Sequence, residues 1–363
     1  MNKVYPHVEG SVMEENEVAP ISAEEAEQYD RQIRLWGVEA QKKLRSSAVL
    51  VVGLTGLTAE LIKNIVLAGI KSLTLIDHRH GDENTVQTVQ GATFLLLPAQ
   101  RNKDTPIVQT AQPRIQLLNP NVKVTVDCED VEKKPDDYFA SFNVICASCA
   151  STTTMVRLNE LCHRHGIKFY CGDVWGYYGY FFVDLNCHSY VVEEERSKSA
   201  SIDIEDPSRK KRKMTSQDKE KVIVSKEMQF CPLQDTLQVQ WDGLTPRQLR
   251  RTPPTYFICR TLQKFRDRHG RPPYPASKQS DVEQLKLLLE EVIQELSVPR
   301  QLVTDEFTKF CFSELSPVCA IVGGIFAQEV IKAISGKGEP FNNHFLYNGQ
   351  SGNNIVEKIA KST

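Results

Sequence analysis

The chain has 363 residues, 40% of them hydrophobic and 25% charged, an ordinary globular composition with enough apolar material for about two domains. Lysine plus arginine (44) nearly balances aspartate plus glutamate (46), for a net charge of -2. That balance gives no general pull toward nucleic acid or an anionic membrane.

Residues 1–20 read as a disordered tail. They lack the apolar core of a signal peptide, and no later apolar run approaches the length of a membrane span, so a cytosolic-side location without a membrane partner is expected. Ser22-Ala23-Glu24-Glu25 has the form of a capping box, which should open a helix. The segment YDRQIRLWG (29–37) follows, then a second helix to about Arg45. Alternating units come next: strand 47–53, helix 56–68, strand 72–77, helix 107–118 with Pro113 inside it, strands 122–126 and 143–147, helix 152–165 and strand 168–172. Crossover helices between parallel strands cover both faces of a sheet. The expected fold class is therefore α/β, a doubly wound, largely parallel, Rossmann-like sheet.

The pattern then changes. Residues 180–185 and 189–192 read as partly alternating strands. The segment 194–222 is highly charged and nearly free of aromatics, so it reads as a disordered basic loop. A strand resumes at 223 and could pair with 189–192. From 246 to 312 the periodicity is helical, with Phe257, Ile258, Leu262 and Phe265 on one stripe and Leu285, Leu288, Leu289, Ile293 and Leu296 on another. Ser316-Pro317 reads as an N-cap and N1 proline for a helix reaching Ser335, with Gly336 as its C-cap. Residues 345–347 and 354–357 read as closing strands. The plan is a tail (1–20), an α/β domain (21–193 with 313–363), the loop (194–222), and a strand plus helical insertion (223–312).

The stretch VLVVGLTGLTAELIKNIVLAG (49–69) has the strand–turn–helix context of a dinucleotide site. Its turn reads Gly53-Leu54-Thr55-Gly56-Leu57-Thr58, with threonine where the second and third glycines belong. Thr55 should crowd a pyrophosphate. Thr58 should push the helix off the sheet or need compensating space. Asp77 lies near the position of a ribose-binding acid. The residues favour a Rossmann-like frame whose turn holds nucleotide weakly or not at all. Cys146 and Cys149 have C-x-x-C spacing without a second pair, and read as two core thiols rather than a zinc site. Cys171, Cys231, Cys311 and Cys319 sit in apolar or aromatic settings that do not activate a thiol. Arg209, Lys210, Lys211, Arg212 and Lys213 form a dense basic run suited to nuclear import. Arg247, Arg250, Arg251, Arg260, Lys264, Arg266 and Arg268 share helices with apolar residues and read as a solvated face. Arg31 and Arg34 in YDRQIRLWG are either packed along a helix or presented to phosphates on another chain. A stand-alone Rossmann oxidoreductase and a nuclear scaffold remain open on these residues alone.

YDRQIRLWG, the glycine turn, CGDVWGYYGYFF (171–182) and FSELSPVCAIVGGIFAQEVIKAISG (312–336), in that order and spacing, resemble the activating enzymes of ubiquitin-like modifiers. The resemblance covers nearly the whole chain beyond residue 20. It lies with the smaller half of the heterodimers that activate SUMO, with the equivalent subunit for another ubiquitin-like modifier as the alternative, and it implies a ThiF/MoeB-like adenylation fold. In this family one half binds ATP and magnesium, adenylates the modifier's carboxylate and carries the thioester cysteine. Active halves keep the turn glycines, an S-N-x-x-R-Q-type segment and a D-N pair. Here the turn has Thr55 and Thr58, the stretch HRHGDENTVQTVQGATFLLL lacks the second feature, and Ser148-Cys149-Ala150 replaces the third. The resemblance thus implies no tightly bound cofactor or metal in this chain and an obligate larger partner. SUMO and the conjugating enzyme would be met through the complex, and Arg31 would be supplied in trans to the partner's ATP. Arg34 reads as structural. The stretch 78–114 matches poorly.

Overall fold

The computed structural model describes residues 21–81, 94–96, 104–197, 219–243 and 245–360. The tail over 1–20, the basic run Arg209–Lys213 and much of the 78–114 stretch lie outside them.

Ser22 opens the fold as its sequence suggests. Its hydroxyl accepts from the Glu25 N–H while the Glu25 carboxylate accepts from the Ser22 N–H, completing a capping box for α1 (Ala23–Gln28). Next come α2 (Asp30–Trp36), α3 (Val38–Ser46), β1 (Ala48–Val52), α4 (Gly56–Leu67) and β2 (Ser72–Ile76). Then α5 (Ile107–Leu118) runs through Pro113, followed by β3 (Lys123–Asp127), β4 (Val144–Ala147), α6 (Thr152–His165), β5 (Lys168–Trp175) and β6 (Tyr178–Asp184). After the ribbon β7 (Cys187–Ser197) and β8 (Lys219–Gln229), the longer helices are α7 (Pro254–His269), α8 (Lys278–Glu295) and α9 (Ser316–Ser335). The chain closes with β9 (His344–Asn348) and β10 (Asn353–Glu357).

The main sheet has the order β10-β9-β6-β5-β4-β1-β2-β3. The five strands from β5 to β3 are parallel, while β6, β9 and β10 add on antiparallel. Strand order reverses between β1 and β4, the switch point at which such sheets open a crevice at their carboxyl ends. Strand alternation divides the core. Val49 and Val51 face α4, α5 and α9, whereas Leu50 and Val52 face α6. On the first side the Phe181 ring stacks on Phe326 at 4.9 Å and on Phe345 at 4.8 Å. The helical insertion shares a core with the sheet: Phe257, Leu262, Phe265, Leu285 and Leu289 pack with Trp175, Tyr180 and Leu346.

Three expectations need correction. Helix α9 begins at Ser316 itself, with Leu315 in the capping position and no side-chain cap, so Ser316 lies within the first turn. Its C-terminus does close on Gly336 in the left-handed conformation. By length and composition α9 is also apolar enough to cross a membrane, contrary to the reading of the apolar runs; 67% of that window is buried as it packs on α4 and β6. Finally, β7 and β8 extend into the segment read as a disordered loop, pairing along their full lengths. Cross-strand ion pairs Glu194–Lys226 at 2.6 Å and Glu193–Lys221 at 3.3 Å explain how so charged a segment forms a ribbon.

Phe181→Ala removes the central ring of the aromatic stack. It is expected to cost about 3–5 kcal/mol, read as a lower urea midpoint at unchanged slope.

Candidate functional site

β1 delivers the chain to Gly53 at the switch point. Gly53 has φ 84, and a Cβ there would lie 2.3 Å from the Ser148 carbonyl oxygen, so both conformation and space demand glycine. Thr55 then caps α4. Its hydroxyl accepts from the Thr58 N–H at 3.1 Å, and the Thr58 hydroxyl accepts from the Thr55 N–H at 2.8 Å while donating to the Gly53 carbonyl at 2.8 Å. Thr58 is fully buried, and α4 remains packed on the sheet. The expected displacement does not occur, because the hydroxyl is absorbed by the turn. Thr55 also meets the Ser148 hydroxyl at 3.2 Å.

The first free N–H of a helix, with its positive dipole end, favours an anion. Here the chain places a group of its own on that N–H: Gly56 donates to the Glu314 carboxyl at 2.7 Å. Burial raises the Glu314 pKa to about 8, against the opposing pull of the Gly56 N–H and Arg79.

Asp77 is buried and engaged internally. It accepts from the Leu54 N–H at 2.8 Å and from Arg79 through the backbone N–H at 2.9 Å and Nη2 at 2.6 Å. Burial opposes its charge, but Arg79 and these N–H donors prevail and hold the carboxyl below its usual range. The Arg79 guanidinium also donates to the Leu54 carbonyl at 2.9 Å and to Cys149 Sγ at 3.4 Å, which lays it across the mouth of the turn.

A second ion pair joins this cleft to the helical insertion. Arg266 on α7 donates to Asp173 on β5 at 2.8 Å, and both residues are buried. Asp173 further accepts from the Ser148 hydroxyl at 3.1 Å and the Cys149 N–H at 2.7 Å. The Trp175 ring lies 5.4 Å from the Arg266 guanidinium. Arg266 was expected on a solvated face; its fractional exposure is 5%. Its neighbours fit that expectation better, with Lys264 and Arg268 paired to Glu291 and Arg247 and Arg251 exposed.

The C-x-x-C thiols also part company. Cys146 is buried in β4, but Cys149, at φ 58, lines the cleft beside Arg79. Among the described residues no group of three or more His, Cys, Asp or Glu is placed to hold a metal. Burial raises the thiols of Cys171, Cys231, Cys311 and Cys319, that of Cys311 to about 12. A cavity of about 260 Å³ remains at the switch point, lined by Gly53, Asp77, Arg79, Ser148, Cys149 and Thr154 among others.

Arg31 lies elsewhere. It is exposed on the first turn of α2 and makes no hydrogen bond or ion pair among the described residues. Arg34 is instead held by Asp30 of the same helix at 3.0 Å. Gln32 donates to the Leu67 carbonyl at the far end of α4. The 12 residues of α4 thus separate Arg31 from the closed turn by about 18 Å of helix.

Sequence reasoning missed Arg79, Asp173 and Glu314. Arg79 alone carried a local signal, an arginine two residues after the acid it pairs with. The family model for the ThiF family matches residues 29–363. The chain belongs to the ThiF family. It is similar to the SUMO-activating enzyme subunit 1 of Rattus norvegicus, 44% identical over 342 residues that cover 94% of this chain and 96% of that protein. The protein of the same name from Homo sapiens is 43% identical over 94% of this chain and 96% of its own length. That from Danio rerio is 42% identical over 95% and 98%.

Glu314→Gln keeps an acceptor for the Gly56 N–H but cannot ionise. A carboxyl whose pKa is raised on folding stabilises the fold fully below its unfolded value of 4.5, and that contribution is lost as pH rises toward 8. The variant should therefore gain on the parent by roughly 2–4 °C in Tm between pH 5 and pH 8. Parallel melting curves at the two pH values check this.

Proposed function

We propose that this chain is the partner half of a heterodimeric SUMO-activating enzyme, acting on a nucleotide held by the other subunit. The observation that carries the reading is a contrast along α4. At its N-terminus, Glu314, Asp77 and Arg79 already engage the groups a nucleotide would need. Near its C-terminus, Arg31 projects without a partner among the described residues. The residues of this cleft do not fit a second ATP: the Glu314 carboxyl already occupies the helix N–H that would meet phosphate, and the acid suited to ribose is spent on Arg79.

In this reading the larger subunit binds ATP and magnesium, adenylates the SUMO C-terminus and then forms the thioester on its own cysteine. As the carboxylate attacks the α-phosphate, negative charge grows on the departing pyrophosphate. A guanidinium fixed across the interface stabilises that charge more than the ground state, so it speeds adenylation. Arg31 supplies it, in the manner of an arginine finger in trans. The relatives' name, with its "subunit 1", supports a heterodimer. SUMO and the conjugating enzyme then meet this chain through the complex. The basic run Arg209–Lys213 supports nuclear residence.

Arg31→Ala in the reconstituted heterodimer should slow ATP–pyrophosphate exchange roughly 100-fold while the dimer still elutes intact. Arg31→Lys, which keeps charge without the planar fork, should fall between. Unchanged exchange in the alanine variant would remove Arg31 from the mechanism.

A further inference from the structure

Helix α2, which carries Arg31, is seven residues long and buries none of them. A helix this short, with only Trp36 packed against the core, gets little orientation from its own packing. Among residues 21–39 the one buried side chain is Tyr29, immediately before α2, at 2% exposure.

Tyr29 meets a fully buried asparagine from the loop between α5 and β3. Asn119 Nδ2 donates to the Tyr29 hydroxyl at 2.8 Å and to the Val66 carbonyl in the last turn of α4 at 2.9 Å. Its Oδ1 accepts from Gln28 at 3.3 Å and from the Asn121 N–H at 3.1 Å. Both donors and both acceptor positions of the amide are used, so its orientation is set. The Tyr29 ring lies on Gly69, which has φ +82; a Cβ there would come within 2.6 Å of the ring. The turn after α4 is shaped to admit the tyrosine. Two further contacts brace α2: Gln32, next to Arg31, donates to the Leu67 carbonyl at 3.1 Å, and Trp36 donates to Gln41, which donates to the Ala68 carbonyl.

We propose that Tyr29 and Asn119 are positioning residues, a buried lock on the end of α4 that sets the direction of α2 and so aims Arg31 at the partner's nucleotide. The proposal rests on the in-trans reading of Arg31. Neither residue touches substrate. Loosening the lock leaves the guanidinium in place but spreads its orientation, and a catalytic group displaced by about 1 Å can cost up to about 100-fold in rate.

The test is a double-mutant cycle in the reconstituted heterodimer, with ATP–pyrophosphate exchange resolved into kcat and KM for ATP, and assembly followed by gel filtration. Asn119→Ala should lower kcat roughly 3- to 10-fold with KM for ATP nearly unchanged, and add nothing once Arg31→Ala is present. Tyr29→Phe, which keeps the ring and removes the hydroxyl, should act in the same direction. It decides the matter by the same criteria if Asn119→Ala does not fold. An equal loss in the Arg31→Ala background, or normal exchange in both lock variants while Arg31→Ala is slow, would overturn the lock alone. Normal exchange in Arg31→Ala would overturn the in-trans reading and the lock's purpose with it.

Discussion

Helix α4 starts with an N–H aimed at the place a phosphate would take, and the chain answers it with the carboxyl group of Glu314. Much else at the switch point is organised around that internal contact. The buried aspartates beside it, Asp77 and Asp173, are each paired to an arginine, Arg79 and Arg266. Buried ion pairs give little net stability, because desolvation consumes most of the Coulomb gain, yet losing one partner leaves a buried charge uncompensated. The cleft is therefore fixed as a unit. Thr55, Thr58 and Ser148 extend it into the turn as a hydroxyl chain in which each group has a partner.

The same helix organises the other end of the reading. Its final turn and the glycine after it receive Tyr29, Asn119, Gln32 and Gln41. One rigid element thus closes a nucleotide turn at its start and holds the arginine-bearing segment at its end.

Much of the fold was legible because its causes are local. Ser22 and Glu25 cap each other across three residues, β1 and β4 are apolar along their length, and Gly336 ends α9 where the helical pattern stops. The turn's threonines were legible as a departure from glycine, though their effect was misjudged: Thr58 is accommodated by hydrogen bonds to Gly53 and Thr55 that composition does not display. The charged segment entering β7 and β8 was misread for a related reason. Its order comes from cross-strand pairs between residues about thirty positions apart, whereas its composition resembles that of a chain too polar to fold.

By itself the sequence determined the sheet-and-helix alternation, the glycine at the switch point, the threonines at positions 55 and 58 of the turn and the presence of Arg31 in its motif. These depend on neighbours a few residues away, or on a pattern carried whole in the chain. Tertiary structure decided that Arg266 is buried on Asp173 rather than solvated, that Cys149 leaves the core for the cleft, that Asn119 fastens Tyr29, and that the Glu314 carboxyl caps the Gly56 N–H. The Gly56–Glu314 contact joins residues 258 positions apart. A charge's role is set by the partner and the dielectric that folding brings to it, and neither is present until the chain has closed.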